Sequence, residues 1–155
     1  MPTIHLETLI AAPIGRCFDL MRDVEAHLRS TAKTHERVVA GRTSGLFEAG
    51  DEVTWEATHL GVRQRLTIRI TRCEPPVLLE DEMVHGAFHT FHHRHTFCTQ
   101  PDGTLMVDDL HFTAPLGPLG VLAERLFLER YMRTLLRERA AVLKQLAETT
   151  SGADQ

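Results

Sequence analysis

A chain of 155 residues, 43% hydrophobic and 25% charged, is sized and composed for one globular domain with a sizeable core. Its net charge of −4 excludes a global pull toward nucleic acid or an anionic bilayer. No apolar run approaches the roughly 18 residues that a spanning helix needs, so membrane insertion is not expected.

In chain order, residues 3–10 alternate, with Ile4 and Leu6 against His5 and Glu7, and predict a strand. Pro13 suits the start of a short helix over residues 14–22, and Asp23 can cap a second over residues 24–32. Two helices this early keep the first strand from a simple hairpin with the next one. Residues 36–113 then read as strands broken by turns. A short strand covers residues 37–41, and glycines at 45 and 50 mark turns around Leu46-Phe47-Glu48. Residues 52–59 put Val53, Trp55 and Ala57 on one face. Residues 62–73 put Leu66, Ile68 and Ile70 on one face and Arg65, Thr67, Arg69 and Thr71 on the other, the pattern of a half-buried strand. Strands over 77–84, 87–99 and 104–114 follow, the last two joined at Pro101-Asp102-Gly103.

From Val121 to Ser151 there is neither Pro nor Gly, and Leu, Arg, Glu and Ala dominate. A helix over residues 118–147 would be about 45 Å long at 1.5 Å per residue. Its apolar stripe includes Leu122, Leu126, Leu128, Met132, Leu135, Leu136, Ala140, Leu143 and Leu146. Glu124, Glu129 and Glu138 offset the arginines between Arg125 and Arg139, partly as pairs such as Glu129–Arg133, so this set is expected to be a solvated face. An antiparallel run of strands needs one covered face, and this helix is the expected cover. The expected class is therefore α+β: a curved antiparallel sheet of six to seven strands around a long C-terminal helix, with two short helices after the first strand. One domain spans residues 1–148, and 149–155 is a polar tail.

This order resembles the helix-grip superfamily (SRPBCC, or START-like), which includes START lipid-transfer domains, the birch-pollen allergen and polyketide cyclase/dehydrase-like proteins. The similarity is greatest to the small bacterial ligand-binding branch of the last group. The residues that carry it are Gly50-Asp51, Trp55 with Gly61 after it, Pro75-Pro76, Asp81, Gly86-x-Phe88, Phe91-x-His93-x-His95, Asp108 and Pro115-Leu116-Gly117-Pro118-Leu119-Gly120. Three positions depart from the pattern: Ala87 stands for Pro, Phe91 for Trp and Met83 for a cavity Gln. The resemblance implies a hollow between sheet and helix that takes a small hydrophobic or amphipathic molecule. It implies no single activity.

Ten histidines are the compositional oddity, and five fall between His85 and His95. Period-two alternation places Phe91, His93, His95 and Phe97 on the inner face of their strand. It likewise turns Leu79, Asp81 and Met83 inward from one neighbour and Met106, Asp108, Leu110 and Phe112 from the other. Four polar groups, Asp81, His93, His95 and Asp108, thus intrude on an apolar face, and buried carboxylates need partners. Three readings stay open: a satisfied structural network, an acid–base pair, or a metal site from His93, His95 and one aspartate. No metal and no cofactor is assigned. His85, His89 and His92 are expected in the turn or on the outer face.

The expected ligand-contacting residues are Trp55, Ile68, Asp81, Met83, Phe88, Phe91, His93, His95, Met106, Asp108 and Leu110. From the first half of the helix, Leu119, Leu122 and Leu126 join them. The first function expected is non-enzymatic binding or carriage, since neither a nucleophile motif nor a Gly-rich phosphate loop occurs. The second is a cyclase or dehydratase using His93 or His95 with Asp81 or Asp108, and the third is a protein-interaction domain. No nucleic-acid partner is expected, because the basic run Arg63, Arg65, Arg69 and Arg72 lacks stacking aromatics or a docking helix. Cys17, Cys73 and Cys98 are odd in number with no Cys-x-x-Cys, and residues 1–5 resemble no secretory signal. Reduced thiols and a cytoplasmic setting are expected. The sequence sets no oligomeric state.

Overall fold

The computed structural model describes residues 2–150. Seven strands form one antiparallel sheet: β1 (Thr3–Ile10), β2 (Arg37–Gly41), β3 (Glu52–His59), β4 (Val62–Glu74), β5 (Leu78–Gly86), β6 (Thr90–Gln100) and β7 (Gly103–Thr113). Their spatial order is β1-β7-β6-β5-β4-β3-β2. The helices α1 (Ile14–Met21) and α2 (Val24–Ser30) fill the excursion that separates β1 from β2, so β1 closes the far edge against β7. The Asp23 carboxylate caps α2 by accepting from the Glu25 and Ala26 amides at 2.8 and 3.3 Å. The expected polar tail starts inside the last helix at Thr149, and residues 151–155 lie outside the described residues. No described helix is long and apolar enough to cross a membrane.

The outer face of the sheet is closed by ion pairs rather than by a second layer. Glu56 accepts from Arg37, Arg63 and Arg65 at 2.7–3.1 Å, and the bonds from Arg65, Arg37 and Arg63 hold its carboxyl down to about 2. Glu80 lies 2.6 Å from Arg94 and 3.6 Å from Arg72 and His92, and Arg69 pairs with Glu52. The arginine run is therefore matched by carboxylates on neighbouring strands, which leaves no continuous basic strip. His85 and His89 are exposed, and His92 sits on this outer face.

The inner face packs in two groups. One holds Phe18, Trp55, Ile70, Phe97, Met106, Leu143 and their neighbours; the other holds Ile4, Leu110, Phe112 and Leu136, with Phe88, Phe91, Leu128 and Met132 against them. The cover is a helical run made of α3 (Gly117–Ala123), a π turn (Glu124–Leu128) and α4 (Glu129–Thr150). The expected Glu129–Arg133 pair is present at 3.3 Å.

The π turn corrects the expected phase of the helix. Gly120, Glu124, Leu136 and Ala140 are buried, and Leu128 and Met132 between them are partly buried. These inward positions step by four residues. An uninterrupted α-helix advances about 3.6 residues per turn, so a strict four-residue step drifts off the sheet unless the winding widens once, as a π turn does. Extrapolation at 3.6 instead turns Leu122 inward. In the fold Leu119, Leu122 and Leu126 point to solvent, 69%, 53% and 67% exposed. Glu124, expected in water, is buried, and its carboxylate accepts the Ala114 amide at 2.5 Å. That bond ties the π turn to the end of β7. Gly120 allows the close approach there, because a Cβ would sit 2.1 Å from the Pro115 carbonyl oxygen.

Removing the Glu124 carboxylate leaves the part-buried Ala114 amide without its acceptor. Glu124→Ala is expected to cost about 1–3 kcal/mol, read as a lower urea midpoint with an unchanged m-value. Glu124→Gln, which keeps an acceptor, recovers most of it.

Candidate functional site

A cavity of about 250 Å³ lies between the sheet and α4. Its existence follows from how the two core groups are spaced along the strands. On β6 the inward series runs Phe91, His93, His95, Phe97, and on β7 it runs Met106, Asp108, Leu110. Phe91 and Leu110 belong to one apolar group, Phe97 and Met106 to the other, and His93, His95 and Asp108 fall between them. A polar belt therefore crosses the middle of the core. The registers β5–β6 and β6–β7 run unbroken through it, pairing Asp81 with His93 and His95 with Asp108.

All four belt residues are buried: His95 is 1% exposed, His93 3%, Asp108 4% and Asp81 7%. His95 Nδ1 lies 2.5 Å from Asp108 Oδ1, a hydrogen bond in which the imidazole donates to the carboxylate. That bond leaves His95 Nε2 pointing toward Asp81, 3.9 Å from Oδ2. His93 Nε2 lies 3.4 Å from Asp108 Oδ1 but has no hydrogen bond of acceptable geometry and is buried. The two imidazole rings are 3.9 Å apart, centre to centre. Asp81 accepts no hydrogen bond from any described residue.

Desolvation dominates the titration of this belt. Burial, then the neighbouring His95 ring, pushes His93 down to about 4. Burial also lowers His95, against the pull of Asp108, and it raises Asp81 above the usual carboxylate range. Burial opposes ionisation of Asp108 as well, but the contacts from His95 and His93 outweigh it and hold that carboxyl low. Two neutral imidazoles around one ionised Asp108 is the state these directions describe near neutral pH.

A second polar pair closes the cavity beside the belt. His27 Nε2 meets Glu36 Oε1 at 2.5 Å, and the His27 ring stacks on Trp55 at 4.0 Å and 22°. Burial lowers His27; in Glu36 the pull of His27 overcomes burial and lowers the carboxyl. Arg139, from α4, also lines the cavity; its Nε is buried and without a hydrogen bond. At the mouth, His59 Nδ1 bonds the Tyr131 hydroxyl at 2.8 Å.

Of the residues named from the sequence, Trp55, Ile68, Asp81 and Phe88 line the cavity, as do Phe91, His93, His95 and Leu110. Asp108 lies behind His95 and reaches the cavity only through it. Met106 is 1% exposed inside the apolar core, beyond the belt. Met83 does not line the cavity, for β5 leaves β6 after Glu82 and carries Met83 away from the belt. Leu119, Leu122 and Leu126 do not line it either, because of the phase set by the π turn. The helix contributes Leu128, Tyr131, Met132, Leu135, Leu136 and Arg139 instead.

By its charge Arg139 belongs to the set expected on the solvated face. It lies four residues after Leu135 and four before Leu143, on the apolar stripe itself, so a stricter reading of helical spacing finds it. His27 and Glu36 carry no such signal, since they meet across the short turn between α2 and β2.

Removing His95 leaves a buried carboxylate without its donor. His95→Ala is expected to cost about 3–5 kcal/mol in urea unfolding at neutral pH, and His93→Ala less, because His93 meets Asp108 only at 3.4 Å and without hydrogen-bond geometry.

A family model described as polyketide cyclase/dehydrase and lipid transport matches residues 1–148. No curated protein matches the sequence. Among solved structures, a Thermus thermophilus protein superposes with a TM-score of 0.73 at 19% identity, over 94% of this chain and 99% of that one. A START superfamily protein from Mycobacterium smegmatis gives 0.72 at 15% identity, over 95% and 97%. The di-domain ARO/CYC StfQ from the steffimycin biosynthetic pathway gives 0.78 at 12% identity, over 97% of this chain and 51% of that one. At these identities the likeness is one of fold.

Proposed function

This chain belongs to the polyketide cyclase/dehydrase and lipid transport family, and we propose that it binds a small apolar or amphipathic molecule in the cavity between sheet and α4. The observation that carries this reading is the cavity's composition. Phe88, Phe91, Leu128 and Met132 supply apolar wall on one side, and His93, Asp81 and Arg139 supply polar atoms at the belt. An amphipathic ligand with its polar head on the belt and its apolar body against the phenylalanines would meet both. About 250 Å³ falls just under the usual range for ligand pockets, roughly 300–1,000 Å³, so the ligand is small. Burial of its apolar surface supplies most of the affinity, and the belt supplies orientation.

A second reading, catalysis of the cyclase or dehydratase type, is favoured by the 2.5 Å bond between His95 and Asp108. A carboxylate that holds Nδ1–H fixes the tautomer and leaves Nε2 as a proton acceptor facing the cavity. His93 and Asp81 stand beside it. On the carrier reading, belt substitutions change affinity alone; on the enzymatic reading they abolish turnover of a bound compound and spare its affinity.

The apolar dye Nile red is expected to bind the wild type at one saturable site. Leu135→Trp, which fills the cavity from α4, weakens that binding at least about tenfold, a loss of about 1.4 kcal/mol. Leu122→Trp, on the exposed side of the same helical run, leaves it unchanged. Equal binding by both variants would move the site out of the cavity.

A further inference from the structure

We infer that Asp81, His93 and His95 form a binding site for a divalent transition metal, open to the cavity. One ligand atom from each residue lies within 4.8 Å of the other two, and all three side chains are buried. Two imidazoles and one carboxylate are a donor set that suits zinc, iron(II) or cobalt(II). Magnesium and calcium prefer oxygen donors and would bind poorly. Around such a metal, with bonds of about 2.0–2.2 Å, ligand atoms stand roughly 3.3 Å apart. Closing the widest gap takes about 1.5 Å of side-chain movement, within the reach of small χ rotations.

Three independent features point to a cation rather than to a satisfied polar network. The first is the orphaned His93 Nε2, a buried nitrogen with no hydrogen bond. Native interiors leave few such atoms, and each calls for an account. The second is Asp81, a carboxyl on the cavity wall with no hydrogen bond among the described residues; a nitrogen of each of His93 and His95 lies within 4.8 Å of it, His95 Nε2 at 3.9 Å. Burying an ionised carboxyl is costly, and a cation coordinated to it offsets that cost. The third is Asp108. By accepting from His95 Nδ1 at 2.5 Å it leaves Nε2 with its lone pair toward Asp81. A carboxylate behind a ligating histidine is the recurrent second-layer arrangement that orients the ring and raises its basicity.

Three protein ligands leave at least one coordination position free, and all three residues line the cavity, so a polar group of a bound molecule can complete the shell. The metal would reach the site through the cavity, which extends to the surface at Lys33 and the 61%-exposed Leu60. This inference is independent of which organic ligand the cavity takes.

The test is titration of the metal-free full-length protein, expressed without a histidine tag, with cobalt(II) and zinc(II). Equilibrium dialysis with elemental analysis gives stoichiometry, and the visible bands of cobalt report its geometry. One cobalt per chain with intense low-coordinate bands is expected, displaced by zinc and unaffected by magnesium. His93→Ala and Asp81→Asn each abolish the stoichiometric binding. Asp108→Asn weakens it by about 10–100-fold. His92→Ala, on the outer face, leaves it intact, which separates the site from casual binding by the surface histidines. If His93→Ala does not fold, the isosteric Asp81→Asn decides the same question. Absence of one-to-one binding in the wild type, or binding that survives in folded Asp81→Asn, overturns the inference.

Discussion

One helix cannot cover a seven-stranded sheet, and the architecture of this protein follows from that mismatch. Six spacings of about 4.8 Å make the sheet about 29 Å across, whereas a helix with its side chains is about 10–12 Å wide. The sheet must curl round the helix, and α1 and α2 must close one end. Even so, the two apolar groups of the core do not merge. The space left between them is the cavity, and the residues that edge it are those for which close apolar packing is not required.

That geometry explains why the polar belt is where it is. A histidine or aspartate on the inner face is costly wherever packing is solid. Next to a cavity the same group can face a ligand, water or a metal. His93, His95, Asp81 and Asp108 occupy two successive inward positions on β6 and one on each neighbour. Arg139 reaches the same level from α4. The belt is partly self-satisfied, through His95 and Asp108, and partly open, through His93 and Asp81. The closed half is held by the His95–Asp108 bond; the open half has His93 Nε2 without a hydrogen bond.

The strands are legible in the sequence because a period of two leaves little freedom. Once Phe91 and Phe97 face inward on an unbroken strand, His93 and His95 must do so too. The end pairing of β1 with β7 is legible only as an exclusion, from the two helices that follow β1. The long helix is visible as an element but not in phase: a π turn leaves no mark in the pattern of leucines, so spacing alone sets Leu119, Leu122 and Leu126 on a wall they do not form. The buried Glu124 marks the turn in retrospect, since it is the group that anchors the turn to Ala114. His27 and Glu36 are a different case. Their pairing depends on how α2 and the start of β2 meet, and no periodicity reports that.

On the proposed reading, the hollow between sheet and α4 is a place for a ligand rather than a packing defect. Native mass spectrometry of the freshly purified full-length protein tests it most directly. A population carrying one small organic molecule per chain, released on denaturation and able to be exchanged for an added amphipathic compound at one equivalent, is expected. A bare chain mass throughout, with no one-to-one adduct formed by any apolar or amphipathic compound offered, would contradict it.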